Sequence, residues 1–270
     1  MTNTISAAEN PALANDLLQK AIQEEDLPEI DPTIQPPLDN TVELPGGYIS
    51  PTGEVIRTAE VRELNGMDEE AIAKAPSIGK AFLTMLQRGT VKIGDLKVTE
   101  KVLDGMLAGD RDAILLGILK TTFGHTSELA IFCQGCGEPK SVEVDVNTDI
   151  KTRVLTDPIN DRMFTVNCKV GEVVVQLPTG ITQKEMINNS EKSVPELNTM
   201  LLENTVTKIN GNPVYSKMQV QNLGIADRKL ILQEINNRVP GPLFDDLTVT
   251  CPDCESEVTV SINLGNLFRL

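Results

Sequence analysis

The sequence predicts an α+β protein: a four-cysteine zinc ribbon made from two distant β-knuckles, with inserted helical segments and a β-hairpin. Three observations predict it. Stretches of period-two apolar alternation are interleaved with stretches at helical spacing. Two Cys-x-x-Cys pairs, Cys133/Cys136 and Cys251/Cys254, each lie between strand-like runs. The 270 residues, 40% of them hydrophobic, are enough to enclose a sizeable core.

In chain order, residues 1–45 carry nine acids (Glu9, Asp16, Glu24, Glu25, Asp26, Glu29, Asp31, Asp39, Glu43) against Lys20 alone, more than half of the net charge of −15. Within this stretch Pro11 to Ile22 has helical spacing through Leu13, Leu17, Leu18 and Ile22, and Pro28, Pro32, Pro36 and Pro37 then block regular structure. Residues 1–43 therefore read as an acidic, partly disordered arm with a short amphipathic helix, either a solvated tail or a segment that folds on a partner. Order is expected from Leu44. A Pro-Gly-Gly turn leads to Tyr48 and Ile49, and the Pro51-Thr52-Gly53 turn leads to Val55 and Ile56, a small hairpin.

Asp68-Glu69-Glu70 marks the first turn of one helix, and Ser77 caps a second through Ile78, Phe82, Leu83 and Leu86 to Gly89. After a strand at Thr90 to Ile93, Lys101 to Leu107 and Asp110 to Phe123 form a helix pair, completing a hairpin and helical region over residues 44–126. Residues 127–270 read as the zinc-ribbon region, with ribbon strands at 127–146 and 247–264. Between them lie a hairpin around Gly171 and helical spacing over 182–204 and 216–238. Asp110, in Gly109-Asp110-Arg111-Asp112, and Asp227, in Asp227-Arg228-Lys229, each stand before an apolar helix and read as caps with equivalent roles. No repeat of 20 to 50 residues covers the chain, although the strand, Cys-x-x-Cys, strand unit occurs twice.

Two residues between cysteines let both sulfurs face one concavity, so each knuckle supplies half of a tetrahedral site. Four thiolates suit Zn2+, which is borderline-soft, and leave no position for water, so the site at Cys133, Cys136, Cys251 and Cys254 is structural. Residues 137–250 separate the pairs, where common ribbons leave roughly 15 to 20. Closing so long a loop costs on the order of 4 kcal/mol, against apparent zinc contributions of about 10 to 16 kcal/mol in small fingers. The metal can bring the pairs together, the intervening segment becoming an insertion whose ends meet at the ribbon and the two hairpins pairing into one small sheet. Two alternatives stay open. Cys-x-x-Cys also performs thiol-disulfide exchange, though that chemistry favours a helix N-terminus where these flanks are strands; and the pairs could be independent reduced turns or local disulfides. Cys168 reads as a small core residue and His125 as a structural or surface residue at a helix end.

The charge balance argues against binding phosphate backbones, and an aromatic content of 3% without Trp argues against base stacking. No apolar run approaches the roughly 18 residues of a membrane span, and no basic region precedes an apolar stretch at the N-terminus. No GxSxG, Walker or GxGxxG pattern occurs, and nothing demands an enzyme.

Three stretches together carry a resemblance: Glu60-Val61-Arg62-Glu63-Leu64-Asn65-Gly66 with Asp68-Glu69-Glu70; Gly109-Asp110-Arg111-Asp112 with its helix; and Cys251-Pro252-Asp253-Cys254 with the ending Leu267-Phe268-Arg269-Leu270. Their order over residues 44–270 resembles the baseplate hub and tail assembly proteins of contractile and other long-tailed bacteriophages, including the T-even-type baseplate hub family. The resemblance implies a non-enzymatic, zinc-stabilised scaffold or assembly chaperone. Its expected partners are other phage tail proteins, hub or tape measure, with no nucleic acid and no membrane. Its expected place is the host cytoplasm during assembly, with the virion tail as a further location. The alternatives are a zinc-ribbon regulatory module binding nucleic acid or transcription machinery and a thiol-disulfide oxidoreductase. A basic ribbon face would favour the former, but Lys140 is the one base near Cys133 to Glu143, and 247–264 has none.

Overall fold

Apolar alternation at Thr41–Ile49 and Val55–Val61 forms the antiparallel strands β1 and β2. The computed structural model describes residues 40–251 and 253–269, so the amphipathic helix expected at Pro11 to Ile22 lies outside the described residues. The expected boundary at residue 43 falls inside β1: Thr41, Val42 and Glu43 pair with Glu60, Ala59 and Thr58. The Pro45-Gly46-Gly47 sequence is a bulge within β1 rather than a turn before it, since the register shifts between Glu43 and Tyr48.

Helix α1 (Gly66–Ala73) starts on a capping box in which Asn65 accepts the Asp68 N–H and Asp68 accepts that of Asn65. The same carboxylate binds Arg62 at 2.7 Å and Arg88 at 3.2 Å, which holds it down at about 2, the Arg62 hydrogen bond being the largest cause. Ser77 caps α2 (Ile78–Gly89), as expected, and Ala81, Met85 and Leu86 line its buried face. Strands β3 (Thr90–Ile93) and β4 (Leu96–Lys97) complete a sheet of order β1-β2-β3-β4. The short α3 (Glu100–Gly105) then leads into α4 (Ala108–Phe123). Ile114, Ile118 and Leu119 of α4 are fully buried, each contributing about 1.5 to 3 kcal/mol relative to exposure. The first cysteine hairpin follows as β5 (Thr126–Cys133) and β6 (Glu138–Asp145).

The same order of elements then runs a second time. After β7 (Lys151–Arg153) come the hairpin β8 (Met163–Cys168) and β9 (Gly171–Gln176), helices α5 (Gly180–Asn188) and α6 (Val194–Thr205), strands β10 (Val206–Ile209) and β11 (Asn212–Pro213), short α7 (Lys217–Gln221) and long α8 (Ile225–Arg238). Their sheet runs β8-β9-β10-β11, matching the first. After β12 (Gly241–Leu243), the second cysteine hairpin is β13 (Leu247–Thr250) and β14 (Glu257–Val260), followed by α9 (Leu264–Phe268). Asp110, Ile114 and Ile118 of α4 take the helix positions of Asp227, Ile231 and Ile235 of α8.

Several expectations are corrected here. The spans 182–204 and 216–238 each hold two helices. A new capping box at Ser193 and Glu196, with Pro195 in the first turn, starts α6 afresh, and Gly224 separates α7 from α8. Asp110 and Asp227 are not caps. The N-cap positions are Leu107 and Gly224, and both carboxylates, one turn inside their helices, hold hairpin backbone instead. Asp110 accepts the Gly46 N–H at 2.6 Å; Asp227 accepts those of Lys169 and Val170 at 2.9 and 3.1 Å. The ribbon strand expected to reach residue 264 stops at Val260. Asn263 caps α9 through the Asn266 N–H, and the helix turns Leu267 and Phe268 into the core.

The first set of elements, both cysteine hairpins and α9 share one apolar cluster, in which Leu129, Val144, Val260 and Ile262 join Ile114 and Ile118. Phe268 packs its ring against Phe82 and Phe123. The second set has its own cluster around Val173, Leu202, Val220, Ile231 and Ile235, with Cys168 against it. The second set is thus an insertion between the knuckles, and its ends meet: β7 pairs with β12, Arg153 opposite Gly241.

Candidate metal centre

The two knuckles have the same local construction. The residue after the second cysteine is left-handed in each, Gly137 at φ 73° and Glu255 at φ 57°. It returns its N–H to the first cysteine's carbonyl, Gly137 to Cys133 at 2.9 Å and Glu255 to Cys251 at 3.0 Å. The next N–H, of Glu138 or Ser256, turns toward the sulfur of Cys136 or Cys254. A left-handed Glu255 is tolerated where glycine is the usual choice, which shows that the knuckle turn dictates the conformation in both places.

The turns bring the sulfurs of Cys133, Cys136, Cys251 and Cys254 together, all within 4.8 Å of one another. Cys133 Sγ lies 3.5 Å from Cys254 Sγ, and Cys136 Sγ lies 4.0 Å from Cys251 Sγ, each contact joining one knuckle to the other. A tetrahedral zinc with sulfurs at about 2.3 Å would hold them about 3.8 Å apart, so the cluster has the right size for such an ion. All four cysteines are free thiols. Cys133 and Cys251 are fully buried, while Cys136 and Cys254 reach nearer the surface.

Without a cation, four thiolates in so small a volume repel one another. Desolvation and the sulfur of Cys133 push the Cys136 thiol up to about 12. The hydroxyl and N–H of Ser256 hold Cys254 down at about 6. A divalent ion would supply the missing positive charge and let all four ionise.

Contacts around the sulfurs were not legible in the motif. Lys140 reaches both Glu138 of its own hairpin, at 2.7 Å, and Asp253 of the other knuckle, so the sole base beside the first pair is an internal tie. A Cβ at Gly135 would stand 2.8 Å from Ser256 Cβ and 3.1 Å from Cys254 Sγ, so the two knuckles meet there too closely for a side chain. The hairpins do not merge into one sheet as expected. β5-β6 and β13-β14 remain separate two-stranded sheets, because sulfur contacts and the shared apolar cluster, rather than a backbone ladder, bring them together. His125 is exposed, with Nε2 3.8 Å from an oxygen of Asp145.

Among the described residues no helix is long and apolar enough to cross a membrane. No family model, curated protein or solved structure matches the chain.

Proposed function

We propose that the cluster holds one structural Zn2+ and that the protein is a non-enzymatic scaffold in phage tail or baseplate hub assembly, working through contacts with other tail proteins. The observation that carries the first part is the convergence of four sulfurs from two separate hairpins into a volume matched to a tetrahedral ion. With all donors sulfur the shell is complete, so the ion staples the chain across residues 137–250 and offers no position for substrate. Cys133, Cys136, Cys251 and Cys254 hold it, Ser256 and Glu138 orient sulfurs from outside the shell, and Lys140 offsets negative charge at the rim.

The tail-assembly part rests on the resemblance over residues 44–270 and on an acidic arm suited to a protein partner. Engagement of Lys140 by two carboxylates weighs against a nucleic-acid ribbon. Strands on both sides of each knuckle weigh against thiol exchange. Two measurements test the proposal. Metal analysis of purified protein should find about one zinc per chain, lost in Cys251→Ser; a metal-free, fully folded protein would contradict the zinc part. The full chain should co-purify with a phage hub or tape-measure protein; transcription proteins in their place would contradict the tail assignment.

A further inference from the structure

The two sets of elements meet through a plug and a socket, and each is present twice. The plug is the start of α5. The socket is the surface of the first set formed by α3, the start of α2 and the start of α4. Gly180 N–H bonds to Met106 O at 2.8 Å and Ala108 N–H to Pro178 O at 2.9 Å. Ile187 packs on Gly79, Gln183 donates to Asp112 Oδ1 at 3.2 Å, and Lys184 pairs with Glu100 and with Asp104. The counterpart of α5 in the first set is α1, and the counterpart socket in the second set is formed by α7 and the starts of α6 and α8.

Among the described residues nothing seats on that second socket, and apolar side chains line it. Ala108, first residue of α4, is 7% exposed beneath the plug, whereas Ile225, first residue of α8, is 75% exposed. Val194, Tyr215 and Met218 around it are 69%, 86% and 68% exposed. End units of repeat proteins ordinarily present a polar outer face that stops further stacking, and this end does the opposite. Met67, second residue of α1, is 72% exposed, against 49% for its counterpart Ile181 in the seated plug.

Charge identifies the occupant. Inside the chain the fifth residue of the plug, Lys184, meets the first residue of the short socket helix, Glu100; the corresponding residues at the free faces are Glu70 and Lys217, with signs reversed. The fourth plug residue, Gln183, meets the fifth residue of the long socket helix, Asp112; the corresponding free residues are Glu69 and Lys229. We infer that the socket around Ile225 receives helix α1 of a second copy of this chain, so that copies add head to tail through the interface already used within each one. Glu70 of the next copy then faces Lys217 and its Glu69 faces Lys229. Among the described residues Glu70 is held by an exposed contact with Lys74 at 3.7 Å, which is easily exchanged. The two faces differ, so the contact is heterologous and yields a ring or an open filament rather than a closed dimer. The inference does not rest on the tail-assembly reading, and its outcome leaves that reading untouched.

Sedimentation velocity on the zinc-loaded full chain, from about 5 to about 200 µM, tests it. The wild type should give a mass that climbs beyond a dimer with concentration. Ile225→Asp should hold the chain monomeric, and Lys217→Glu with Lys229→Glu should weaken association by at least about tenfold. Adding Glu69→Lys and Glu70→Lys to that double variant should restore association to within about threefold of wild type, a rescue that general destabilisation does not produce. A wild type that stays monomeric throughout, a discrete dimer indifferent to Glu69→Lys and Glu70→Lys, or a quadruple variant no better than the double one would overturn the inference.

Discussion

Asp110 and Asp227 occupy the same place in the two sets of elements, yet their surroundings differ. Asp227 has both oxygens bonded to hairpin N–H groups, and the neighbouring Arg228 donates to Val220 O, Pro195 O and Thr199 Oγ1. Asp110 is fully buried, its Oδ2 without a partner among the described residues, and Arg111 beside it leaves Nε and Nη1 likewise unpaired. Burial pushes Asp110 and Asp112 both up to about 6 and pushes the Arg111 guanidinium down. The framework is the same; what differs is that the second set covers the first. A junction laid over a charged helix start costs desolvation, offset by apolar packing of Leu107, Leu155 and Leu177.

Removing the proposed metal should separate the two sets most strongly. Both cysteine hairpins belong to the first cluster, so a strong chelator, or Cys251→Ser, should destabilise that region by at least about 4 kcal/mol, the loop-closure cost that the proposed ion would offset. Hydrogen exchange should show β5, β6, β13 and β14 losing protection while β8, β9 and β10 keep theirs. Uniform loss would mean that the two clusters unfold as one.

Truncating the two aspartates should rank them. Asp227→Ala strands two hairpin N–H groups and should cost roughly 3 kcal/mol in urea unfolding. Asp110→Asn keeps an acceptor for Gly46 while removing a buried charge, and should cost under about 1 kcal/mol. The reverse order would contradict the reading of the junction.

Titration sharpens the same contrast. The folded pKa values of Asp110 and Asp112 lie above the unfolded value of 3.8, so the stability they contribute is fully present below that value and is lost as pH rises through about 6. Between pH 7 and pH 5 the protein should gain roughly 1 kcal/mol per group, and Asp110→Asn should remove about half of that slope. Asp68 acts oppositely. Its depressed pKa contributes up to about 2 kcal/mol above pH 4, lost as pH falls through about 2. A flat profile from pH 7 to pH 5 would refute the assignment for Asp110 and Asp112.

The smallest effect compares the knuckles. Gly135 and Asp253 hold the same position between paired cysteines, but Gly135 has no room for a side chain against the opposite turn, whereas Asp253 reaches across to Lys140. Gly135→Ala should raise the zinc dissociation constant roughly tenfold by competition with a chromophoric chelator, while Asp253→Ala should change it little and in a salt-sensitive way. Equal effects would show that the knuckles are not packed as described.

Much of this architecture was readable beforehand. The Cys-x-x-Cys turns, their flanking strands and the helix face through Ile114 and Ile118 follow from spacing alone. The doubling of the whole unit was hidden because core positions such as Ile114 and Ile231 persist while matching charged positions such as Glu100 and Lys217, or Asp112 and Lys229, carry opposite signs. Asp110 looked like a cap because residue type and distance from an apolar helix do not reveal a long-range N–H, here that of Gly46. The tie from Lys140 to Asp253 was invisible for the same reason.

X-ray absorption at the zinc edge of the purified full chain tests the central claim most directly. The account predicts one zinc per chain with four sulfur neighbours at about 2.3 Å and no nitrogen or oxygen in the shell. A shell of mixed donors, or two sulfurs per ion with ions shared between chains, would contradict it.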